Sequence, residues 1–337
     1  MAFDIIVIGS ASLDVFAKTD AKIVQIEGLS HGQMTDERWL AYPLGSKLLI
    51  RKLAFSPGGA GTNACATFAK LDFSTAFVGM IGTDIHGQIL LNWFRENGIA
   101  FLGKLGNETG YSLILASQAD DRTILSFKGC NDELELTGLP LAELQAPWLY
   151  GTSMLGKSFA TQEELFLFAK HKGMETAYNP NPYICSKGLR YLQRMLQHID
   201  VLILNREEAG LLVGSGTSLE LAQRLANHGP DIVTISDGAK GATIFTSLAR
   251  GGEKWHIMPA SGLSIIETTG AGDAFGAGFV AGLKLKKPIR EAALMGVLNA
   301  EGVIQTYGAT QHIASRREME TWLSAERDQP RHDIIEL

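Results

Sequence analysis

The sequence predicts an α/β protein with a doubly wound, mostly parallel sheet and helices on both faces. Short runs rich in valine, isoleucine and leucine alternate with longer segments of helical periodicity along the 337 residues. This alternation is typical of parallel strands joined by helical crossovers. Several predicted strands also end in a small or polar residue, and ligands of open α/β sheets bind beyond the carboxyl ends of the strands. Each such residue, taken alone, could equally cap its strand, but their repetition predicts one long cleft.

The elements follow one another in a regular order. The predicted core strands are 5–9, 75–81, 148–151, 176–179, 201–205 and 232–236, the last followed by a hairpin through 238–241 into 242–246. The clearest helices are 62–71, 85–97, 161–171, 189–198, 218–227, 273–285, 289–304 and 316–326. The chain should therefore fold as one large domain with a buried core.

Two stretches, about 15–54 and 99–128, do not follow this alternation. In the second, 111–117 and 122–127 predict a β-hairpin around Asp120 and Asp121. Together the stretches could form a small sheet that needs the core or another subunit for stability. We expect a single domain over 1–337, with a core of about 1–14, 55–98 and 129–337 and a small discontinuous β lid from the two stretches.

Composition narrows the possible partners and location. The net charge is −6 and no basic cluster exceeds 284–287, which argues against a nucleic-acid partner. The three cysteines are far apart and lack metal-ligand spacing, so neither disulfides nor zinc are indicated. No apolar run approaches the roughly 20 residues of a membrane-spanning helix, and the N-terminus lacks signal-peptide features. We expect a cytoplasmic protein without a membrane partner.

The strongest chemical signal is the segment 267–275, Glu-Thr-Thr-Gly-Ala-Gly-Asp-Ala-Phe, which opens a helix rich in small residues. Gly270, Ala271 and Gly272 leave backbone N–H groups unobstructed where the helix dipole favours an anion. Such donors, aimed at a phosphate in transfer, would stabilise the charge of the transition state. Asp273 lies in the first turn and could accept a proton from an attacking hydroxyl, or could merely cap the helix.

A second glycine-rich segment, 56–63, reads Ser-Pro-Gly-Gly-Ala-Gly-Thr-Asn and opens the helix 62–71. Gly58 and Gly59 would let the backbone approach a ligand, and Asn63 offers a donor and an acceptor to a hydroxyl. By itself the segment could be an ordinary turn and helix cap. It is not a Walker A loop, because no Gly-Lys-Ser/Thr follows. It does not follow the first strand, as a dinucleotide fingerprint would, so a dehydrogenase is disfavoured.

The two glycine-rich segments, in this order, resemble the two signatures of the ribokinase (PfkB-type) carbohydrate kinase family. Further segments that resemble the family are 8–10 with Asp14, 78–84 with Gly87, 109–110, 205–208 and 236–241. The resemblance covers nearly the whole chain. It implies a ribokinase-like fold with a β lid and an ATP-dependent phosphotransferase that acts on an alcohol group.

The resemblance also implies roles for individual residues. Those that would bind the acceptor are Asp14, Gly58, Gly59 and Asn63. Those that would bind ATP are Asn205, Ser236, Gly238, Gly241 and, beside the adenine, Asn299. Glu208, with Asn205, would hold Mg²⁺ through water. Gly270, Ala271 and Gly272 would form the anion hole and Asp273 the general base, in agreement with the physical interpretation.

Three positions depart from the family pattern. Glu267 stands where the family usually has aspartate and many members bind a monovalent cation, so activation by K⁺ is left open. Ala60 replaces the lysine of ribokinases proper, which disfavours ribose as the acceptor. Asn179 stands where many members have aspartate at a strand end.

Three functions remain after these departures. The leading hypothesis is phosphorylation of a sugar or sugar-like molecule by MgATP, and the alternative is a nucleoside kinase on the same scaffold. A binding protein without turnover is disfavoured, because all the phosphoryl-transfer residues are present. We expect an unphosphorylated acceptor, since no arginine or lysine adjoins Asp14 or 58–63 in the sequence, although Lys47, Arg51 or Lys128 of the lid could contribute a positive charge. We also expect a homodimer formed through the lid.

Overall fold

The computed structural model describes residues 2–19, 22–30, 33–116 and 122–337, with side chains described for 2–19, 42–115 and 123–337. The predicted hairpin turn at Asp120 and Asp121 lies outside these residues. None of the helices in the described ranges combines the length and apolarity that spanning a bilayer requires.

The strands of the described residues are numbered in chain order. They are β1 (Ile5–Ile8), β2 (Ser12–Thr19), β3 (Lys22–Ser30), β4 (Gln33–Ala41), β5 (Ile50–Gly58), β6 (Thr75–Val78), β7 (Met80–Gly82), β8 (Ala100–Phe101), β9 (Lys104–Gly106), β10 (Gly110–Ala116), β11 (Arg122–Phe127), β12 (Trp148–Thr152), β13 (Glu175–Asn179), β14 (Val201–Asn205), β15 (Ile232–Ser236), β16 (Ala242–Thr246), β17 (Lys254–Ile257) and β18 (Ile334–Glu336).

The helices of the described residues lie mostly between these strands. They are α1 (Ala60–Lys70), α2 (Ile85–Glu96), α3 (Gly156–His171), α4 (Pro182–Cys185), α5 (Leu189–Leu196), α6 (Arg206–Val213), α7 (Ser218–Ala226), α8 (Ala271–Lys284), α9 (Ile289–Val303) and α10 (Arg316–Asp328).

Ten strands form the main sheet in the order β18-β17-β16-β15-β14-β13-β12-β1-β6-β8. Every neighbouring pair from β8 to β15 is parallel, and only the pairs from β15 to β18 are antiparallel. The predicted mostly parallel sheet is therefore confirmed.

Both faces of this sheet are buried beneath helices. In β1, Ile5 and Val7 belong to one hydrophobic cluster with α1, α8 and α9, whereas Ile6 and Ile8 belong to another with α3, α5 and α7. Because side chains alternate along a strand, the two clusters lie on opposite faces. This confirms the predicted doubly wound architecture.

The prediction of one strand over 75–81 was wrong in detail. The strand is interrupted at Gly79, after which β7 leaves the main sheet and pairs with β9. A Cβ at Gly79 would lie 2.6 Å from Cζ of Phe77 and would overlap the carbonyl oxygen of Gly9, so only glycine fits this crossing.

A second, four-stranded sheet has the order β11-β10-β2-β5. It draws strands from both stretches that interrupt the βα alternation. However, β8 and β9, which lie within 99–128, pair with β6 and β7 rather than with this sheet. The separate pair β3 and β4 is antiparallel. The function of the four-stranded sheet as a lid stays a prediction.

Candidate active site

The N-terminus of α8 has the open backbone that the sequence predicts. Gly270 is its N-cap in a left-handed conformation (φ 80°), and no side chain caps the helix. A Cβ at Gly270 would overlap that of Ala309, whereas a Cβ at Gly272 would meet no heavy atom within 4 Å. In this turn the Ala271 N–H already donates to the Thr268 carbonyl over 3.3 Å, so it is the backbone at Gly272, beside open space, that suits an anion site. The alternative that Asp273 merely caps this helix is wrong.

The Asp273 carboxylate is bound instead by a residue of the other glycine-rich segment. Asn63 Nδ2 donates to Asp273 Oδ2 over 2.9 Å. The pKa of Asp273 is raised to about 6, because burial and the charge of Asp14 raise it more than the Asn63 hydrogen bond lowers it. A carboxylate with this pKa can take up a proton near neutral pH.

Asn63 keeps one polar atom unused. Its side chain is 5% exposed, and its Oδ1 is buried and accepts no hydrogen bond from the described protein groups. An unpaired buried amide oxygen is unfavourable unless a ligand or water donates to it. The Asn63 Oδ1, beside Asp273, could accept a hydrogen bond from a hydroxyl of the acceptor molecule.

Asp14, on β2, lies close enough to Asp273 for its charge to affect that carboxylate. Its carboxylate accepts from Ser12 Oγ over 2.9 Å and is buried, which raises its pKa. A Cβ at Gly58 would overlap this carboxylate, and Gly59 begins α1 with φ 88°. Gly58 thus lets the backbone lie directly against Asp14, whereas a Cβ at Gly59 would overlap the Ser10 carbonyl oxygen, so both glycines have a steric role in the local packing.

Asn205 and Ser236 lie side by side at the carboxyl ends of β14 and β15. Asn205 Oδ1 accepts from the Glu208 N–H, and Glu208 Oε2 accepts from the Asn205 N–H, each over 2.8 Å. This is a capping box at the start of α6, a structural role that sequence analysis did not foresee.

Glu208 is also electrostatically part of the cleft. Its pKa is raised to about 7, because burial and the charges of Asp273 and Glu207 raise it more than the hydrogen bond from the Asn205 N–H lowers it. A cation near these carboxylates would compensate their mutual repulsion. In the described part of the chain, no group of three or more histidine, cysteine or acidic side chains is placed to hold a metal.

The turn after β15 brings two more predicted residues to the same edge. Gly238 and Gly241 have φ values of 52° and 86°, and a Cβ at Gly241 would overlap the Ile257 carbonyl oxygen. Arg206, which sequence analysis did not single out, contacts this turn by donating to Asp237 Oδ2 over 3.1 Å. The turn lies at the carboxyl end of the sheet, where ligands of such folds bind.

Two predicted residues are not brought to an open surface. Asn299 is fully buried and donates to Thr67 Oγ1 over 3.2 Å and to the Ala274 carbonyl over 2.8 Å. It would have to leave these contacts to touch a nucleotide. Glu267 is buried and accepts from the Gly308 N–H over 3.2 Å.

The structure also explains Asn179. Its Nδ2 lies 3.4 Å from the hydroxyl of Tyr150, a fully buried side chain whose pKa is raised by burial and by the charge of Asp273. A Cβ at Gly276 would lie only 2.6 Å from this hydroxyl. Tyr150 and Asn179 therefore form the floor under α8. Tyr150 carries no motif, so the sequence offered no signal for it.

Comparison with known proteins identifies relatives over nearly the whole chain. Residues 6–316 match the family described as pfkB family carbohydrate kinase. The ribokinase of Haemophilus influenzae is 29% identical over 289 residues, which cover 81% of this chain and 89% of that protein.

Two solved structures share the fold of this chain. The structure of Arabidopsis thaliana ribokinase complexed with ribose and ATP has a TM-score of 0.76 at 22% identity, covering 96% of this chain and 99% of that one. The adenosine kinase of Sinorhizobium meliloti has a TM-score of 0.78 at 19% identity, covering 96% and 100%. Both likenesses confirm the ribokinase-like fold that the sequence predicts.

Proposed function

Because this chain belongs to the pfkB family of carbohydrate kinases, and is thus a phosphotransferase with an alcohol acceptor, we propose that it uses MgATP to phosphorylate a hydroxyl of an unphosphorylated sugar or sugar-like molecule. The observation that carries this proposal is the pair of Asp273 and Asn63. Their hydrogen bond joins the two glycine-rich segments beside the open N-terminus of α8.

The acceptor would bind between Asp14 and Asn63. The Asn63 Oδ1, which no described group uses, would accept from one acceptor hydroxyl, and the Asp14 carboxylate from another. Asn63 Nδ2 would meanwhile keep Asp273 in place. The reacting hydroxyl would transfer its proton to Asp273 as its oxygen attacks the γ-phosphorus of ATP, the bond from this phosphorus to the bridging oxygen breaks and ADP leaves, while the backbone donors at 270–272 stabilise the phosphoryl oxygens.

ATP would extend from α8 along the carboxyl ends of β14 and β15. Ser236, Gly238 and Gly241 are proposed to contact it, as is Asn205. Mg²⁺, when bound, neutralises charge on the phosphates, and Glu208 would hold it through water. Because the pKa of Glu208 is raised, a nearby cation would stabilise its charged carboxylate form. The role of Glu267 toward K⁺ and that of Asn299 toward adenine stay predictions.

The sheet around Asp14 favours a polyhydroxylated acceptor. Pairing places Ser56 of β5 and Ser112 of β10 directly opposite Asp14 on the same face. A carboxylate flanked by two hydroxyl groups offers several donors and acceptors to a sugar. A nucleoside would need an apolar shelf in addition, so it remains the alternative for the test below.

We expect ADP release only when MgATP is combined with an unphosphorylated sugar or sugar-like alcohol. The measurement is coupled ADP release from the purified chain with sugars, sugar acids, sugar phosphates and nucleosides, each with Mg²⁺ and with a chelator instead. Turnover of nucleosides alone would establish the alternative kinase. Turnover of sugar phosphates alone would contradict the proposed acceptor, and ligand binding without turnover in any mixture would contradict the kinase.

We further propose that the chain forms a homodimer through the face of the four-stranded sheet opposite Asp14. Phe55, which pairs with Val15, and Leu125, which pairs with Leu113, are 61% and 53% exposed on that face. Exposed apolar residues on a small sheet favour burial against a partner. The family resemblance indicates a second copy of the chain as that partner.

Leu125→Glu is therefore expected to convert the dimer into a monomer, because burial of a carboxylate in an apolar interface is unfavourable. Sedimentation velocity of the wild type and the variant measures this directly. Leu248→Glu is the matched control, since Leu248 is 93% exposed after β16. A wild type that sediments as a monomer with and without ligands would refute the proposal.

A further inference from the structure

His332 lies buried between two carboxylates, away from the proposed active site. Its Nε2 is 2.9 Å from Glu301 Oε1 and its Nδ1 is 3.0 Å from Glu326 Oε1. The exposed fractions of His332, Glu301 and Glu326 are 4%, 6% and 9%. The Nε2–Glu301 contact is a hydrogen bond, whereas Nδ1 approaches Glu326 without hydrogen-bond geometry. The arrangement is thus that of a buried imidazole hydrogen-bonded to one carboxylate and close to a second.

This cluster joins three parts of the chain. Glu301 belongs to α9, Glu326 belongs to α10, and His332 lies in the C-terminal segment just before β18. The N–H groups of Arg331 and His332 also donate to Glu326 Oε2, over 2.9 and 3.2 Å. β18 is the edge strand of the main sheet and pairs with β17. The cluster therefore holds the C-terminal strand against the helices.

Glu301 connects the cluster to the segment 260–270, which leads from β17 to the N-terminus of α8. Its Oε1 also accepts from the Ala260 N–H over 2.7 Å. One turn later in the chain, the Ile304 carbonyl accepts from the N–H groups of Ile266 and Glu267, over 2.8 and 3.1 Å. The end of α9 thus anchors the start of this segment at Ala260 and its middle at residues 266–267, while residues 261–266 are largely exposed.

We infer that His332 is a positioning residue for the phosphate end of the site. By holding Glu301, it fixes Ala260 and the end of α9, and through them the segment that terminates in Gly270. Positioning matters at this point because anion-hole donors act only when they are already aimed at the developing charge. The inference rests on the proposed function only for the identity of the anion that Gly270 faces.

The cluster also has a defined pH dependence. Glu301 of α9 and Glu326 of α10 face the imidazole, whereas Arg331 and Asp333 beside it are exposed. Burial lowers the pKa of His332, but the hydrogen bond to Glu301 and the nearby charges of Glu301 and Glu326 raise it more, so it lies above the ordinary 6.5. Since the folded pKa is raised, this contribution to stability is complete below about pH 6.5 and is lost as pH rises through the folded pKa.

Hydrogen exchange of the full-length protein, measured by mass spectrometry, tests the inference. His332→Gln retains one donor but cannot carry charge, so exchange across 260–270 should accelerate by about 3- to 30-fold. Exchange across 50–58 of the four-stranded sheet should not change. Glu301→Gln should resemble His332→Gln. Asp333→Asn is the matched control, because the Asp333 carboxylate is exposed and the described carboxylates at the His332 ring are those of Glu301 and Glu326.

Steady-state kinetics distinguish a positioning role of His332 from a merely structural one. For His332→Gln, kcat/KM for ATP should fall by about 3- to 30-fold while KM for the acceptor stays constant. Unchanged exchange at 260–270, or equal acceleration at 50–58, would overturn the inference. If the variants do not fold, the wild type decides: after correction for intrinsic exchange, 260–270 should lose protection selectively as pH rises above 6.5. Exchange is measured without turnover, so failure of the kinase assignment would be seen separately.

Discussion

Replacing Asp273 with asparagine is expected to lower kcat by roughly 10²–10⁴, the usual contribution of a positioned proton acceptor. The substitution preserves size, and an amide oxygen at position 273 can still accept from Asn63 Nδ2, which donates to Asp273 over 2.9 Å. What is lost is the ability to take the proton of the acceptor hydroxyl. Affinity for MgATP should be retained or increase, because a negative charge beside the phosphates is removed.

The measurement combines kcat, nucleotide affinity and melting temperature of the purified variant. Asp72→Asn is the matched control, because Asp72 is exposed with a left-handed backbone that asparagine also tolerates. The wild-type kcat should also decline as pH falls through about 6, the pKa of Asp273, since only the deprotonated carboxylate is a base. Turnover of Asp273→Asn within about threefold of the wild type would eliminate Asp273 as the base.

Replacing Gly272 with alanine is expected to separate stability from activity. No heavy atom lies within 4 Å of a Cβ at this position, and Gly272 is exposed in the first turn of α8. Alanine should therefore stabilise the helix by about 0.5–1 kcal/mol. If the transferred phosphoryl group lies in this space, the added methyl obstructs its contact with the backbone donors, and kcat should fall by roughly 10²-fold.

Gly210→Ala is the control for this substitution. Gly210 lies inside α6, its backbone is not left-handed, and a Cβ there would also meet no atom within 4 Å. It should gain similar stability without loss of turnover. Thermal unfolding and steady-state kinetics of both variants provide the comparison. Full activity in Gly272→Ala would mean that the phosphoryl group does not approach the N-terminus of α8.

The sequence by itself determined most strands of the main sheet, the long helices and their order. Parallel strands buried on both faces, such as Val201–Asn205 and Ile232–Ser236, are mostly apolar runs that end in a polar residue, and this local pattern places them at their observed positions. The glycine-rich segments are equally local signals, because an open helix N-terminus requires small residues in adjacent positions. Gly79 escaped prediction because its role depends on Gly9, a residue seventy positions earlier in the chain.

Only the tertiary structure decided which of these residues meet. Asn63 and Asp273 are separated by 210 residues, and their hydrogen bond exists because α1 packs against α8. The same packing buries Asn299 between helices, although its sequence position resembles that of a nucleotide contact. The Glu301, Glu326 and His332 cluster has no motif at all. Long-range contacts depend on how helices pack on the sheet. A local sequence pattern indicates which face of a helix or strand is apolar, but not which element packs against that face.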